Sequence, residues 1–159
     1  MFTDIVRSTN LVDAIGDESW SDLVRWHDET LRSLFAAHEG EEIDHAGDGF
    51  FVAFADAASA IECAVAIQRR LAEQRRTQGF APEVRIGLHA AEASRRGAEY
   101  KGKGVHEAAR ISSLADGAEI LASAASVAQG SIRFPVSEPR SVELKGVAEP
   151  VEVVSVEWR

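Results

Sequence analysis

Apolar side chains recur at helical spacing twice in the first half of the chain. Between Trp20 and His38 they fall at 20, 23, 24, 31, 34 and 35, and from Ala57 to about Arg76 at Ile61, Ala64, Val65 and Leu71. Both patterns predict amphipathic helices with one buried face. Phe50 to Phe54, Val84 to Leu88 and Val151 to Val156 are rich in β-branched and aromatic residues and predict strands. The turn Gly47-Asp48-Gly49 precedes the first of these and pairs it with Glu42 to His45 as a hairpin. At the N-terminus, Phe2-Thr3-Asp4-Ile5-Val6-Arg7-Ser8-Thr9 reads as a strand end that turns into a helix through Ser and Thr. A further helix is expected from about His106 to Leu114, ending near Gly117. The order strand, helix, hairpin, helix, strand suits an α+β domain, an antiparallel sheet with helices on one face.

Neither repeats nor Pro/Gly/Ser linkers divide the sequence, so residues 1–159 read as one domain. A domain of that length buries roughly 70% of the surface its unfolded chain exposes, enough to fold without a disulfide or structural metal. The single cysteine, Cys63, sits among apolar neighbours and has no thiol partner, which fits a reducing compartment. No stretch approaches the ~20 apolar residues of a membrane span, and the first residues lack signal-peptide character. A cytoplasmic protein without membrane insertion is therefore expected. The formal charge of −9, from 26 acidic against 17 basic side chains, argues against a nucleic-acid partner. An anionic small substrate would need metal ions or local cations. The histidines at 27, 38, 45, 89 and 106 show no zinc-ligand spacing, leaving oxygen-ligated divalent metals as the kind to expect.

Four constellations carry candidate chemistry. Asp4 sits beside the amides of a strand-to-helix turn, which attract phosphate, and would bridge to that phosphate through a cation. A helix-capping Ser8 with Asp4 as a surface charge is the structural alternative. Asp48 projects from a glycine-flanked hairpin tip, a common arrangement in ordinary hairpins. With Asp4 on an adjacent strand, however, the two carboxylates could hold a pair of Mg²⁺ or Mn²⁺ ions roughly 3.5–4 Å apart. In Gly104-Val105-His106-Glu107-Ala108-Ala109-Arg110, His106 and Arg110 share one helical face, as two donors to one point or as ordinary surface residues. Lys145, in Val142-Glu143-Leu144-Lys145-Gly146-Val147, lies where a strand meets a turn and by itself reads as a solvated lysine.

Taken in order, the Asp4 segment, Gly47-Asp48-Gly49-Phe50, Gly87-Leu88-His89, Gly104 to Arg110 and Leu144-Lys145-Gly146 resemble the class III adenylate and guanylate cyclase catalytic domain along nearly its whole length. The likeness is strongest to single-domain cyclases of actinobacterial type. The resemblance implies a ferredoxin-like fold and a head-to-tail homodimer whose sites take the aspartates from one chain and the arginine and lysine from the other. Asp4 and Asp48 match the metal-binding aspartates of a centre with two divalent ions, Mg²⁺ or Mn²⁺, with the Ile5 carbonyl as an extra ligand. The amides of Val6, Arg7, Ser8 and Thr9 match the loop over the phosphates, Arg110 the transition-state arginine, and Lys145 the lysine on the triphosphate. His106 stands where the family has a ribose-orienting asparagine, and can still donate a hydrogen bond.

Asp44 and Glu99 match the two base-selecting positions. At 44 an adenine-reading lysine is usual, and a carboxylate there accepts hydrogen bonds instead, as the glutamate of guanylate cyclases does. Lys101 or Lys103 could supply the missing donor. The expected activity is conversion of ATP to 3′,5′-cyclic AMP and pyrophosphate. GTP is the alternative substrate, and a catalytically weak nucleotide-binding regulatory module the alternative class.

Overall fold

The computed structural model describes residues 1–91, 94–96 and 99–159, with side chains for all of these but 94–96, 99 and 101. Its first half is built from β1 (Phe2–Ile5), α1 (Ser8–Ile15), α2 (Asp17–Ala37), β2 (Glu41–Ala46), β3 (Gly49–Ala53), α3 (Ala57–Gln78) and β4 (Val84–Leu88). β1 lies between β3 and β4 and is antiparallel to both, while β2 is antiparallel to β3. The spatial order β2-β3-β1-β4 with a helical crossover after β1 and another after β3 is the ferredoxin-like arrangement that the sequence predicts.

Alternation along the strands decides which side chains meet the helices. Ile5, Val52, Val84 and Ile86 point to the face where Leu31 and Phe35 of α2 and Ile61 and Leu71 of α3 cover them, all at 2% exposure or less. Each such side chain contributes about 1.5–3 kcal/mol by leaving water. α3 starts at Asp56, whose carboxylate accepts from the Ser59 amide at 2.8 Å, and ends at Gly79 in the left-handed region. Burial pushes the Cys63 thiol up to about 12, so this core residue is chemically inert.

The second half adds β5 (Ser94–Arg96) and β6 (Glu99–Lys101), a two-stranded ribbon, then α4 (Lys103–Leu114), β7 (Ile120–Ser123), α5 (Ala124–Gly130), β8 (Arg140–Val142) and β9 (Val151–Ser155). Here the expectation of a purely antiparallel sheet with helices on one face needs correcting. β7 runs parallel to β4, and two adjacent parallel strands must be joined by a crossover over one face of the sheet. α4 is that crossover. It takes the face that α2 and α3 leave free: a Cβ on Gly87 would lie 2.3 Å from the Ser112 backbone nitrogen. Beneath α4, Ile111, Leu121, Leu144 and Val153 form a second, smaller core. β9 and β8 close the sheet in the order β2-β3-β1-β4-β7-β9-β8. Among the described residues no helix is long and apolar enough to cross a membrane.

Candidate active site

The alternation that buries Ile5 turns Phe2 and Asp4 toward the α4 face, and the β1–β4 register places Arg85 directly opposite Asp4. Arg85 donates to one Asp4 oxygen from Nε at 3.0 Å and from Nη2 at 2.5 Å, and its Nη1 reaches the Ser113 carbonyl at 3.3 Å. Asp48 arrives from the hairpin tip. Gly49 allows the approach, because a Cβ there would stand 2.9 Å from the Thr3 carbonyl oxygen and 3.6 Å from Asp4 Oδ1.

The two carboxyl groups meet. Burial first, and then a hydrogen bond with Asp4, push the Asp48 carboxyl above its ordinary value, while a hydrogen bond from Ser8 opposes the shift. One Asp48 oxygen, Oδ2, is buried without a hydrogen-bond partner. Neighbouring acids that leave a buried oxygen unsatisfied are a set of hard oxygen donors suited to a divalent cation. The Ile5 backbone, at the end of β1, adjoins them. Among the described residues no cluster of three or more His, Cys, Asp or Glu side chains is placed to hold a metal ion.

α1 begins at Ser8 after Arg7, which caps it in the left-handed region (φ 54°) without a side-chain cap. The first-turn amides of Ser8 and Thr9 therefore have no intrahelical acceptor. Val6 leaves the predicted phosphate loop, since its amide already donates to the Glu83 carbonyl at 2.9 Å. The Arg7 side chain is 77% exposed and lies 3.6 Å from Glu83.

Next to the carboxylates is a cleft of about 240 Å³ lined by Phe2, Asp44, Phe51, Arg85, Ala109 and Ser112, among others. Phe2 and Phe51 stack at 4.5 Å. Asp44 reaches this cleft because of a bulge. β2 pairs Glu42 with Val52 but Asp44 with Phe51, so Ile43 is an extra residue. In regular register Asp44 would have opposed the core-facing Phe50; the bulge returns it to the α4 face, where its carboxylate accepts from the His45 amide at 2.9 Å. Glu99 lies in β6, and its side chain is outside the described residues, as is that of Lys101.

His106 and Arg110 project one turn apart from the exposed side of α4, and Lys145 is exposed in the turn between β8 and β9. One chain does not bring Lys145 to the aspartates. From β1 to β8 is four strand positions, roughly 19 Å at ~4.8 Å each.

Sequence reasoning did not find Arg85 or the Phe2–Phe51 floor. Arg85 between the apolar Val84 and Ile86 signalled an outward-facing position, but only the register with β1 reveals its partner.

With this geometry in hand, comparison identifies the protein's class: residues 1–156 match the Adenylate and Guanylate cyclase catalytic domain, and the chain belongs to that family. Putative adenylate cyclase 3 of Rhizobium meliloti is 30% identical over 135 residues, covering 82% of this chain and 23% of that protein, so the chain spans about a quarter of that relative's length. The adenylyl cyclase CyaB from P. aeruginosa shares the fold with a TM-score of 0.83 at 22% identity, over 98% of this chain and 91% of that one. The guanylate cyclase domain of RhGC from Catenaria anguillulae, in complex with GTP, gives 0.80 at 18% identity, over 99% and 94%.

Proposed function

We propose that this domain cyclises ATP to 3′,5′-cyclic AMP and pyrophosphate, at sites shared between two copies of the chain. The observation that carries the reading is the meeting of Asp4 and Asp48, with one buried oxygen left unpaired. These carboxylates and the Ile5 carbonyl would hold two divalent ions, Mg²⁺ or Mn²⁺, which when bound acidify the ribose 3′-hydroxyl and neutralise phosphate charge. Arg85 borders the same cleft and would exchange part of its contact with Asp4 for a phosphate oxygen. The amides of Arg7, Ser8 and Thr9 face the same anion. From the second chain, Arg110 and Lys145 would offset charge developing on the phosphoryl oxygens, and His106 would hold the ribose.

ATP is favoured by the relatives named adenylate cyclases. A specific observation supports GTP as the second reading: the β2 bulge aims Asp44, a pure acceptor, into the aromatic-floored cleft. Guanine offers an acceptor two donors on one edge, adenine a single amino group.

The test is turnover of ATP and of GTP, separately, by purified protein with Mn²⁺, with products resolved by chromatography. Cyclic AMP is expected to dominate. Cyclic GMP alone would replace the substrate, and neither product would leave a regulatory module. Asp4→Ala and Asp48→Ala should each cut the rate to below about 1% while the circular dichroism spectrum is kept. Full activity in either would end the metal assignment.

A further inference from the structure

Helical periodicity puts residues 104, 107, 108, 111, 112 and 115 on the buried side of α4. Five of these are small or apolar. The sixth is Glu107, 8% exposed. Its Oε2 lies 2.9 Å from Nε2 of His89, at the end of β4, and its Oε1 lies 3.4 Å from Lys103 Nζ. The other His89 nitrogen, Nδ1, is 2.9 Å from Ser123 Oγ; Ser123 Oγ is 2.6 Å from Ser126 Oγ, which accepts from the Ala90 amide at 2.6 Å.

Ala90 N–H donates to Ser126, whose hydroxyl shares a hydrogen bond with Ser123, which in turn shares one with His89 Nδ1, and His89 Nε2 faces the Glu107 carboxylate at ion-pair distance. The relay runs from the backbone beyond β4, through the start of α5, to α4. Ser123, His89 and Glu107 stand in the order of a nucleophilic triad, but Ser123 is 1% exposed and caps α5, so no substrate can reach its Oγ.

A buried carboxylate is not there for stability. Apolar side chains in place of both partners would pack about as well, whereas a buried acid and its partner fix one register, because any other leaves both unsatisfied. The remaining contacts of α4 are permissive: Gly104 lets the helix come within reach of Ala91, and Ser112 rides over Gly87. Small residues of this kind allow close approach without choosing a rotation. The choice falls to Glu107, which lies between His106 and Arg110. Any turn of α4 that carried Glu107 toward water would swing both of them with it.

We infer that Glu107 and His89 are positioning residues whose buried pair sets the rotation of α4 and so aims Arg110 and His106 at the partner chain's carboxylates. What α4 presents rests on the cyclase reading above; the clamp itself does not.

The experiment compares wild type, Glu107→Leu and Glu107→Gln for kcat, KM and amide hydrogen exchange across residues 103–112. The Leu variant should lose about tenfold or more in kcat with KM within about twofold, and exchange in α4 should quicken. The Gln variant, whose side-chain oxygen can take the place of the carboxylate oxygen facing His89 Nε2, should keep kcat within about threefold and normal exchange. Wild-type kcat in the Leu variant, or unchanged exchange in α4, would overturn the proposal. If the Leu variant does not fold, His89→Asn, which falls short of Glu107, takes its place with the same expectations. Wild-type inactivity on both nucleotides would instead sink the cyclase reading and with it the aim assigned to α4, an outcome that an unaffected Leu variant cannot imitate.

Discussion

The two halves of the candidate site differ in what the fold does for them. The acidic half, β1 with the β2–β3 hairpin, is assembled within one chain: Asp4, Asp44 and Arg85 line one cleft, Asp48 meets Asp4 beside it, and Asp4 is already paired with Arg85. The donor half, α4 and the β8–β9 turn, is held by a buried relay and a second core but presents His106, Arg110 and Lys145 to solvent. One half carries anionic groups that need cations, and the other carries cationic groups without a substrate of their own. That asymmetry suits a site completed by a second copy, in which each half meets its opposite across a two-fold axis.

Mixing inactive variants tests this division most severely. Asp48→Ala and Arg110→Ala should each be nearly inactive alone. Mixed in equal amounts and allowed to exchange subunits, half of the dimers would carry both lesions in one site and none in the other. Activity should therefore return to about a quarter of wild type. No recovery, with subunit exchange verified by mass, would mean that both residues serve the same site of one chain. Asp44→Lys comes next: it places a donor in the cleft and should shift the ATP-to-GTP ratio of kcat/KM toward ATP by about tenfold, the scale of one hydrogen bond to a charged group. An unchanged ratio would remove residue 44 from base reading. Arg85→Gln should act in two opposed ways. Without its guanidinium beside Asp4, Mn²⁺ binding measured calorimetrically in the absence of nucleotide should tighten by a few fold, while KM for the nucleotide rises. Weaker Mn²⁺ binding would show that Arg85 supports the carboxylates rather than competes for them.

The acidic half was largely legible in the sequence, because its information is local. A strand ending in Thr-Asp-Ile and a Gly-Asp-Gly hairpin tip announce themselves within a few residues, and the β1–β4 unit follows from the alternation of elements. What escaped was set by register. The bulge at Ile43 is invisible in Glu42-Ile43-Asp44-His45 yet decides whether Asp44 faces the core or the cleft. The pairing of Arg85 with Asp4 spans 81 residues. The parallel β4–β7 contact and the face chosen by α4 depend on the second half docking on the first, which periodicity alone does not report. Glu107 is the instructive case: on a helical wheel it stands among buried positions, a conflict of pattern that only a partner such as His89 resolves.

Each half is also braced from beneath by a histidine and a carboxylate, and the acidic half's brace yields a pH prediction. His27, fully buried on α2, sets Nδ1 at 2.9 Å from Asp28 Oδ1, while its Nε2 is buried without a partner. His45 of the β2–β3 hairpin stacks on Phe50 at 4.3 Å, with Nε2 3.2 Å from Asp28 Oδ2, an ion-pair distance without the geometry of a hydrogen bond. Protonating His27 would bury a charge and add an N–H with no acceptor. Burial accordingly holds its pKa below the ordinary 6.5, outweighing the opposing pull of Asp28. The unfolded chain then binds a proton that the folded chain refuses. This contribution to stability is whole above about pH 6.5 and declines as the pH falls from there toward the lower folded value. The unfolding free energy from urea titrations without metal should fall between pH 7.5 and 5.5, by about 1.4 kcal/mol for each unit of separation spanned. His27→Gln removes the titrating group and should flatten that slope even if it lowers stability at both pH values; an equally steep slope in the variant would move the acid sensitivity away from the brace under the hairpin.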